Sequence, residues 1–186
     1  MLLKYSRRRY RTEFSGRRKG VRTMKRLAAL LLALCLALCA LALAEEPRVI
    51  ENKPSYKGRR VAVGKTGLSF LLPDEWKAVE APEGVDGEVY ASGDGETVLT
   101  VVISSGDLAD LAARYVVAEE DGMLKRTGAA TINGREWLVS TTADDIQHYY
   151  QTALKDGKIL SLVFVTAAPG DAPDCAAELA GSLKKK

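Results

Sequence analysis

The single histidine of this chain, His148, stands three residues after Asp145 and four after Asp144, in a D-D-x-x-H array. Two carboxylates and an imidazole are ligand types that can hold a divalent cation such as zinc. The same imidazole is a candidate base for a hydroxyl or thiol, and Ser140, Thr141, Thr142 and Cys175 are the nucleophiles to pair with it. Each chemistry lacks a part. Zinc sites commonly draw on several histidines or cysteines, and no nucleophile-elbow motif surrounds any of the hydroxyls. On a strand through Ile146–Leu154, His148 shares its face with Ile146, Tyr150 and Leu154, as a hydrogen-bonded packing histidine does. Asp144-Asp145 fall where a turn is wanted. The expectation is therefore no catalytic residue, no metal and no cofactor. Asp144, Asp145, His148 and Tyr149 remain as candidate binding residues. Tyr149 is expected to be exposed, on the strand face opposite Ile146 and Tyr150.

Two further patterns invite chemistry. Gly64-Lys65-Thr66 resembles the end of a phosphate-binding loop, but the first glycine of that motif would fall on Arg59, and Gly67 and a strand follow where a helix is needed. A plain turn fits better. Glu119-Glu120-Asp121 and Asp74-Glu75 offer paired carboxylates, and both read as a solvated helix end or turn.

The elements that must position these residues are announced by turn chemistry. Asp94-Gly95, Asn133-Gly134 and Asp156-Gly157 supply the positive φ angles of tight hairpins. They join Glu88–Ala91 to Thr97–Ile103, Thr127–Ile132 to Arg135–Thr142, and Ile146–Leu154 to Ile159–Thr166. Val61–Val63 and Leu68–Leu72 make another strand pair. Arg135–Thr142 alternates Trp137, Val139 and Thr141 against Glu136, Leu138 and Ser140, whereas Ile159–Thr166 and Thr97–Ile103 are apolar on both faces, as strands covered from both sides are. Asp107 caps a helix with Leu108, Leu111, Ala112 and Tyr115 on one face. A second helix is expected from about Asp171, with Pro173 in its first turn, Ala176, Leu179, Ala180 and Leu183 along its stripe, and Lys184–Lys186 at the negative end of its dipole. The fold class that follows is α+β, a mostly antiparallel sheet flanked by helices, in one domain over 60–186.

Before that domain, 45–59 holds Pro47, Pro54, Gly58 and many charges, and reads as a linker. Further back, Met24-Lys25-Arg26 and the apolar run Leu27 to Ala44, ending Ala42-Leu43-Ala44, have the form of a secretory signal peptide over 24–44 with cleavage after Ala44. The run lies near the lower edge of a bilayer span of about 20 residues, so an uncleaved anchor is the structural alternative. Lipidation of Cys35 or Cys39 is less well matched, since each follows Leu-Ala-Leu rather than a small residue. The basic stretch 1–23 is either an extended n-region or untranslated. Its Ser6-Arg7-Arg8-Arg9-Tyr10 looks like a twin-arginine core, placed further from the apolar run than that signal sits.

Met1–Ala44 contains 11 of the 27 Lys and Arg and one of the 24 Asp and Glu, leaving 16 against 23, or −7. That balance disfavours nucleic acid, whose phosphates need clustered cations. The compartment is then extracytoplasmic, secreted or in the cell envelope. Cys175 is the one cysteine past Ala44, so no intramolecular disulfide is available and the domain must stand on its core.

Gly67-Leu68-Ser69-Phe70-Leu71-Leu72-Pro73-Asp74-Glu75-Trp76 resembles the opening of PsbP-like domains, where a G-F-S-F strand leads into I-P-x-x-W. The order of hairpin, helix, long hairpins with an N-G turn and terminal helix is similar too, over Val61 to about Leu183. Leu68 departs from the family's aromatic. The resemblance implies an α/β/α sandwich, with Pro73 and Trp76 in structural positions and the indole closing one end of the core. It also implies an accessory or binding role toward an unknown protein or small ligand, and no catalytic residue to carry over. The alternative is a small metal-dependent or nucleophile-based hydrolase centred on His148.

Overall fold

The computed structural model describes residues 48–185. The signal-peptide reading of 24–44, the basic stretch 1–23 and the cleavage point at Ala44 lie outside them.

Hairpin turns set the architecture. Asn133 at φ 47° and Gly134 at φ 75° connect β7 (Leu124–Ile132) to β8 (Arg135–Thr142), and Asp156 at φ 61° and Gly157 at φ 63° connect β9 (Gln147–Ala153) to β10 (Lys158–Thr166). Positive φ at both central positions matches the right-handed twist of the flanking strands. Asp144-Asp145 turn β8 into β9, with Asp145 at φ 57°. Gly95, at φ 77°, lies in the turn from β5 (Glu88–Ala91) to β6 (Thr97–Ser105). These hairpins, with β1 (Arg48–Ile50) and β4 (Lys77–Val79) at the edges, build an eight-stranded sheet in the order β1-β7-β8-β9-β10-β6-β5-β4. Every pair is antiparallel except β1 with β7. β6 and β7 therefore run the same way, four antiparallel pairs apart, and α1 (Leu108–Glu120) is the crossover between them.

A second sheet of three strands, in the order β11-β3-β2, joins β2 (Gly58–Ala62), β3 (Leu68–Pro73) and β11 (Lys184–Lys185). Phe70 and Leu72 of β3 are fully buried in one core with Leu99, Trp137, Leu160, Leu162 and Phe164 of the large sheet and Ala176 and Leu179 of α2 (Cys175–Gly181). One face of the large sheet thus packs on the small sheet and α2, and the other carries α1.

The α+β class and the mostly antiparallel sheet stand as expected. The flanking layers differ, because one cover is largely a sheet and the fold is more strand-dominated than a helix-flanked sandwich. The terminal helix is also shorter than its sequence pattern. It starts at Cys175, ends at Gly181, and Lys184-Lys185 pair with Ser69 and Leu68 as β11 instead of capping a helix. A Cβ on Gly181 would come within 2.8 Å of Asn133 Nδ2, so the chain ends its helix where it is pressed against the β7–β8 turn.

The stretch read as a linker needs correcting from residue 48 onward. Arg48–Ile50 add a parallel strand to β7, and Gly58 and Arg59 open β2. Between them Ser55 donates from its amide to Glu178 Oε2 at 2.8 Å, and the Tyr56 hydroxyl donates to the Leu71 carbonyl at 2.8 Å. Prolines and charges lower local propensity, but these partners are distant in sequence and outweigh it.

Candidate functional site

β9 carries His148 and Tyr149, and its alternation sends them to opposite fates. His148 and Tyr150 point into the core, where Phe164 lies opposite His148 on β10. His148 is 1% exposed. Its Nδ1 stands 3.2 Å from Thr141 Oγ1 across the β8–β9 ladder, and Nε2 is buried with no hydrogen-bond partner. Burial pushes the imidazole pKa below its usual value, and the carboxylates of Asp145 and Asp171 partly restore it. The ring is therefore a neutral core group at neutral pH. Trp76, 4% exposed, meets Phe164 edge to face at 6.5 Å, and Tyr150 does so at 5.9 Å, so an aromatic cluster fills this end of the core.

The two aspartates do not converge on the imidazole. Asp144 Oδ1 accepts from the Thr142 hydroxyl at 2.6 Å and from the Ile146 amide at 3.2 Å, a turn-closing arrangement that holds its pKa below the usual carboxylate value. Asp145 pairs with Lys125. Among the described residues no group of three His, Cys, Asp or Glu could hold a metal ion.

Of the nucleophiles, Thr141 is the one that the hairpin register sets directly opposite His148. Ser140 projects from the opposite face of β8 and is 1% exposed beneath α1. The Thr142 hydroxyl donates to Asp144 Oδ1 and accepts from the Gln147 amide. The Cys175 thiol is half-buried and burial pushes its pKa up to about 11, so it is no thiolate at neutral pH.

Tyr149 corrects the sequence reading. It does lie opposite Tyr150, but α1 covers that face, and Tyr149 is half-buried with Tyr115 of α1 at 6.3 Å. α1 is seated by Asp107, whose Oδ1 accepts from the Ala109 amide at 2.7 Å. Its Leu108, Leu111, Ala112, Tyr115 and Ala118 face the sheet and none is fully buried. Beneath it the sheet is polar: Gln151 Nε2 donates to Ser161 Oγ at 2.9 Å, and both residues are buried. The Tyr115 hydroxyl lies near Ser140 and Gln151, too loosely to give either a well-formed hydrogen bond.

Gly64-Lys65-Thr66 is the β2–β3 turn, closed by the Thr66 amide on the Val63 carbonyl at 3.1 Å, and a strand follows it. Glu119 and Glu120 end α1 in solvent, and Asp74-Glu75 occupy the turn after β3. The residue that the sequence undersold is Asn133. Beyond making a turn, its Oδ1 accepts from the Asn52 amide at 2.8 Å, and its Nδ2 donates to the carbonyls of Asn52 at 2.6 Å and Gly181 at 2.9 Å. It borders an open groove of about 410 Å³ that Arg135, Glu136, Thr152 and Leu183 also line, away from the D-D-x-x-H array. No local signal marks that second role, since its partners lie 81 and 48 residues away.

No protein family and no curated protein matches the chain. A crystal structure of a protein from Bacteroides thetaiotaomicron VPI-5482 is similar over 70% of this chain, at 16% identity and a TM-score of 0.43. The chain spans 49% of that protein's length, and the likeness is too slight to place either fold or function.

Proposed function

We propose that this chain is an exported, non-catalytic accessory or binding domain of PsbP-like architecture, working outside the cytoplasm on a protein or small ligand. The burial of His148 carries the reading. The one imidazole able to serve as base or ligand is sealed among Phe164, Tyr150 and Thr141, and the aspartates beside it in sequence are spent on a turn and on Lys125. Trp76, the indole of the Leu72-Pro73-Asp74-Glu75-Trp76 segment, is buried against Phe164, a position that suits the PsbP-like resemblance. Export follows from Met24–Ala44 in the sequence. The described part adds that no helix in it is long and apolar enough to cross a membrane.

The second reading, a hydrolase, draws on one contact, the 3.2 Å approach of Thr141 Oγ1 to His148 Nδ1. A working nucleophile would need substrate access and an acid to orient the far nitrogen, and Nε2 has no such partner. The test compares exported wild type with His148→Gln on generic ester and phosphate substrates, and crosslinks wild type in its native envelope. Equal background rates with a specific crosslinked partner support the binding domain. Turnover that His148→Gln abolishes while the fold survives overturns it.

A further inference from the structure

The charge of the domain is segregated. Residues 48–185 hold 15 Lys and Arg against 21 Asp and Glu. The stretches 52–73 and 179–185, which make the small sheet and lead into it, hold seven of those 15 and none of those 21. The arginines are Arg59 and Arg60, the lysines Lys53, Lys57, Lys65, Lys184 and Lys185, and all seven are exposed. A domain that is acidic as a whole therefore carries one cationic layer, on the side of the large sheet away from α1.

Strand register gathers these charges. Arg60 lies opposite Leu71 and Lys184 opposite Ser69, and because Phe70 and Leu72 face the core, Arg60 and Lys184 face away from it. Lys185 lies opposite Leu68, which follows the turn that carries Lys65, so Lys65, Lys184 and Lys185 share one end of the small sheet. The arginines are engaged within the fold. Arg59 Nη2 donates to the Trp76 carbonyl at 2.7 Å, and Arg60 Nη1 donates to the carbonyls of Ser69 at 3.1 Å and Ser182 at 2.8 Å. The five lysines have no carboxylate partner among the described residues, and Lys57, Lys65, Lys184 and Lys185 stand outside the groove beside Asn133. Recognition of one carboxylate or phosphate draws on the fixed fork of a free arginine or on an enclosing pocket. Unenclosed lysines, each a flexible point charge, suit a surface where many negative charges are spread out.

We propose that the small-sheet layer docks on an anionic lipid surface, with headgroup phosphates as the counter-charges of its lysines. Cations within a Debye length of such a surface each add to binding. The acidic remainder, with Asp110, Glu119 and Glu120 of α1 in it, is repelled by the same surface, which turns α1 away from the lipid.

The test is amide hydrogen exchange on the full chain, with vesicles of phosphatidylcholine alone or mixed two to one with phosphatidylglycerol. Comparing the two vesicle types cancels any hold on lipid that does not depend on headgroup charge. Exchange in the β2–β3 turn is expected to slow on the anionic vesicles only, to recover at 1 M salt, where the Debye length is about 3 Å, and to stay unchanged in α1. Each lysine near an anionic surface is worth roughly fivefold in binding, so Lys65→Gln with Lys184→Gln should weaken docking about thirtyfold and abolish the slowing. Arg114→Glu, on α1, changes the net charge by the same amount and should leave the slowing in place. Equal exchange on the two vesicle types in wild type overturns the proposal. So does a loss that is the same in Arg114→Glu as in the double variant, because net charge alone would then act. Slowing that needs no vesicles and grows with protein concentration also overturns it, and gives the cationic layer to the acidic side of a second copy.

Discussion

Replacing Asn133 separates its two duties. Asn133→Gly keeps the backbone at positive φ without strain and deletes the side chain that accepts from the Asn52 amide and donates to the carbonyls of Asn52 and Gly181. Neutral hydrogen bonds contribute about 0.5–1.5 kcal/mol net each, and these three are exposed, so the low end applies. The expected loss is about 1.5–3 kcal/mol. At roughly 4 °C per kcal/mol for a domain of this size, Tm falls by about 6–12 °C. Asn133→Ala loses the same bonds and also pays for a Cβ in the left-handed region, about 1–2 kcal/mol more.

Urea unfolding read by the fluorescence of the buried Trp76 and Trp137 gives both numbers, and amide exchange at Asn52 reports whether β1 loosens first. The ordering wild type above Asn133→Gly above Asn133→Ala is the prediction. Asn133→Gly within about 0.5 kcal/mol of wild type would refute the reasoning, because Asn133 would then be a turn residue only.

His148 makes the domain acid-sensitive. Its folded pKa lies below the ordinary 6.5, so the unfolded chain takes the proton first, and stability is present above 6.5 and lost as pH falls from there toward the folded value. The urea midpoint is expected to drop between pH 7.5 and 5.5 in wild type, with a flatter slope in His148→Gln; equal slopes refute it. Phe164→Ala removes the ring shared by Trp76 and Tyr150 and should cost about 3–5 kcal/mol by the same assay. Gly87→Ala places a Cβ 2.6 Å from the Val101 carbonyl oxygen and should cost about 1–3 kcal/mol. Gly128→Ala, whose Cβ meets nothing within 4 Å, should be neutral or slightly stabilising; the reverse order would refute the steric account. Titrating zinc into the protein by calorimetry should show no binding tighter than micromolar, and tight binding abolished by His148→Ala would overturn the reading of Asp144, Asp145 and His148.

Much of the sheet was legible because its causes are local. An Asx-Gly pair needs no distant partner to turn, and Asp107 caps α1 through amides two and three residues ahead. Even the contact of Thr141 with His148 follows from the short turn between them, which fixes their register. What stayed hidden depends on distant partners. Three residues of β1 carry no strand signature, and they hold because β7 and Asn133 arrive some 81 residues later to receive them. Lys184-Lys185 read as a helix tail for the same reason, since only Leu68 and Ser69 make them a strand.

The candidate site was misjudged at Tyr149 by the same division. Alternation says that His148 and Tyr149 face opposite ways, and it is silent on which way is covered. That is decided by the β6–α1–β7 crossover, which lays a helix on the Tyr149 face, and by residues 58–73, which bring a second sheet to the other. Both faces of β9 are thereby closed, and the consequence for function is direct. On the proposed binding role, the recognising surface lies away from His148 and Tyr149, which the two covering layers close off. Val116, Val117 and Met123 around the end of α1 are exposed, as are Val49, Val79 and Val85 elsewhere, and the groove beside Asn133 is open.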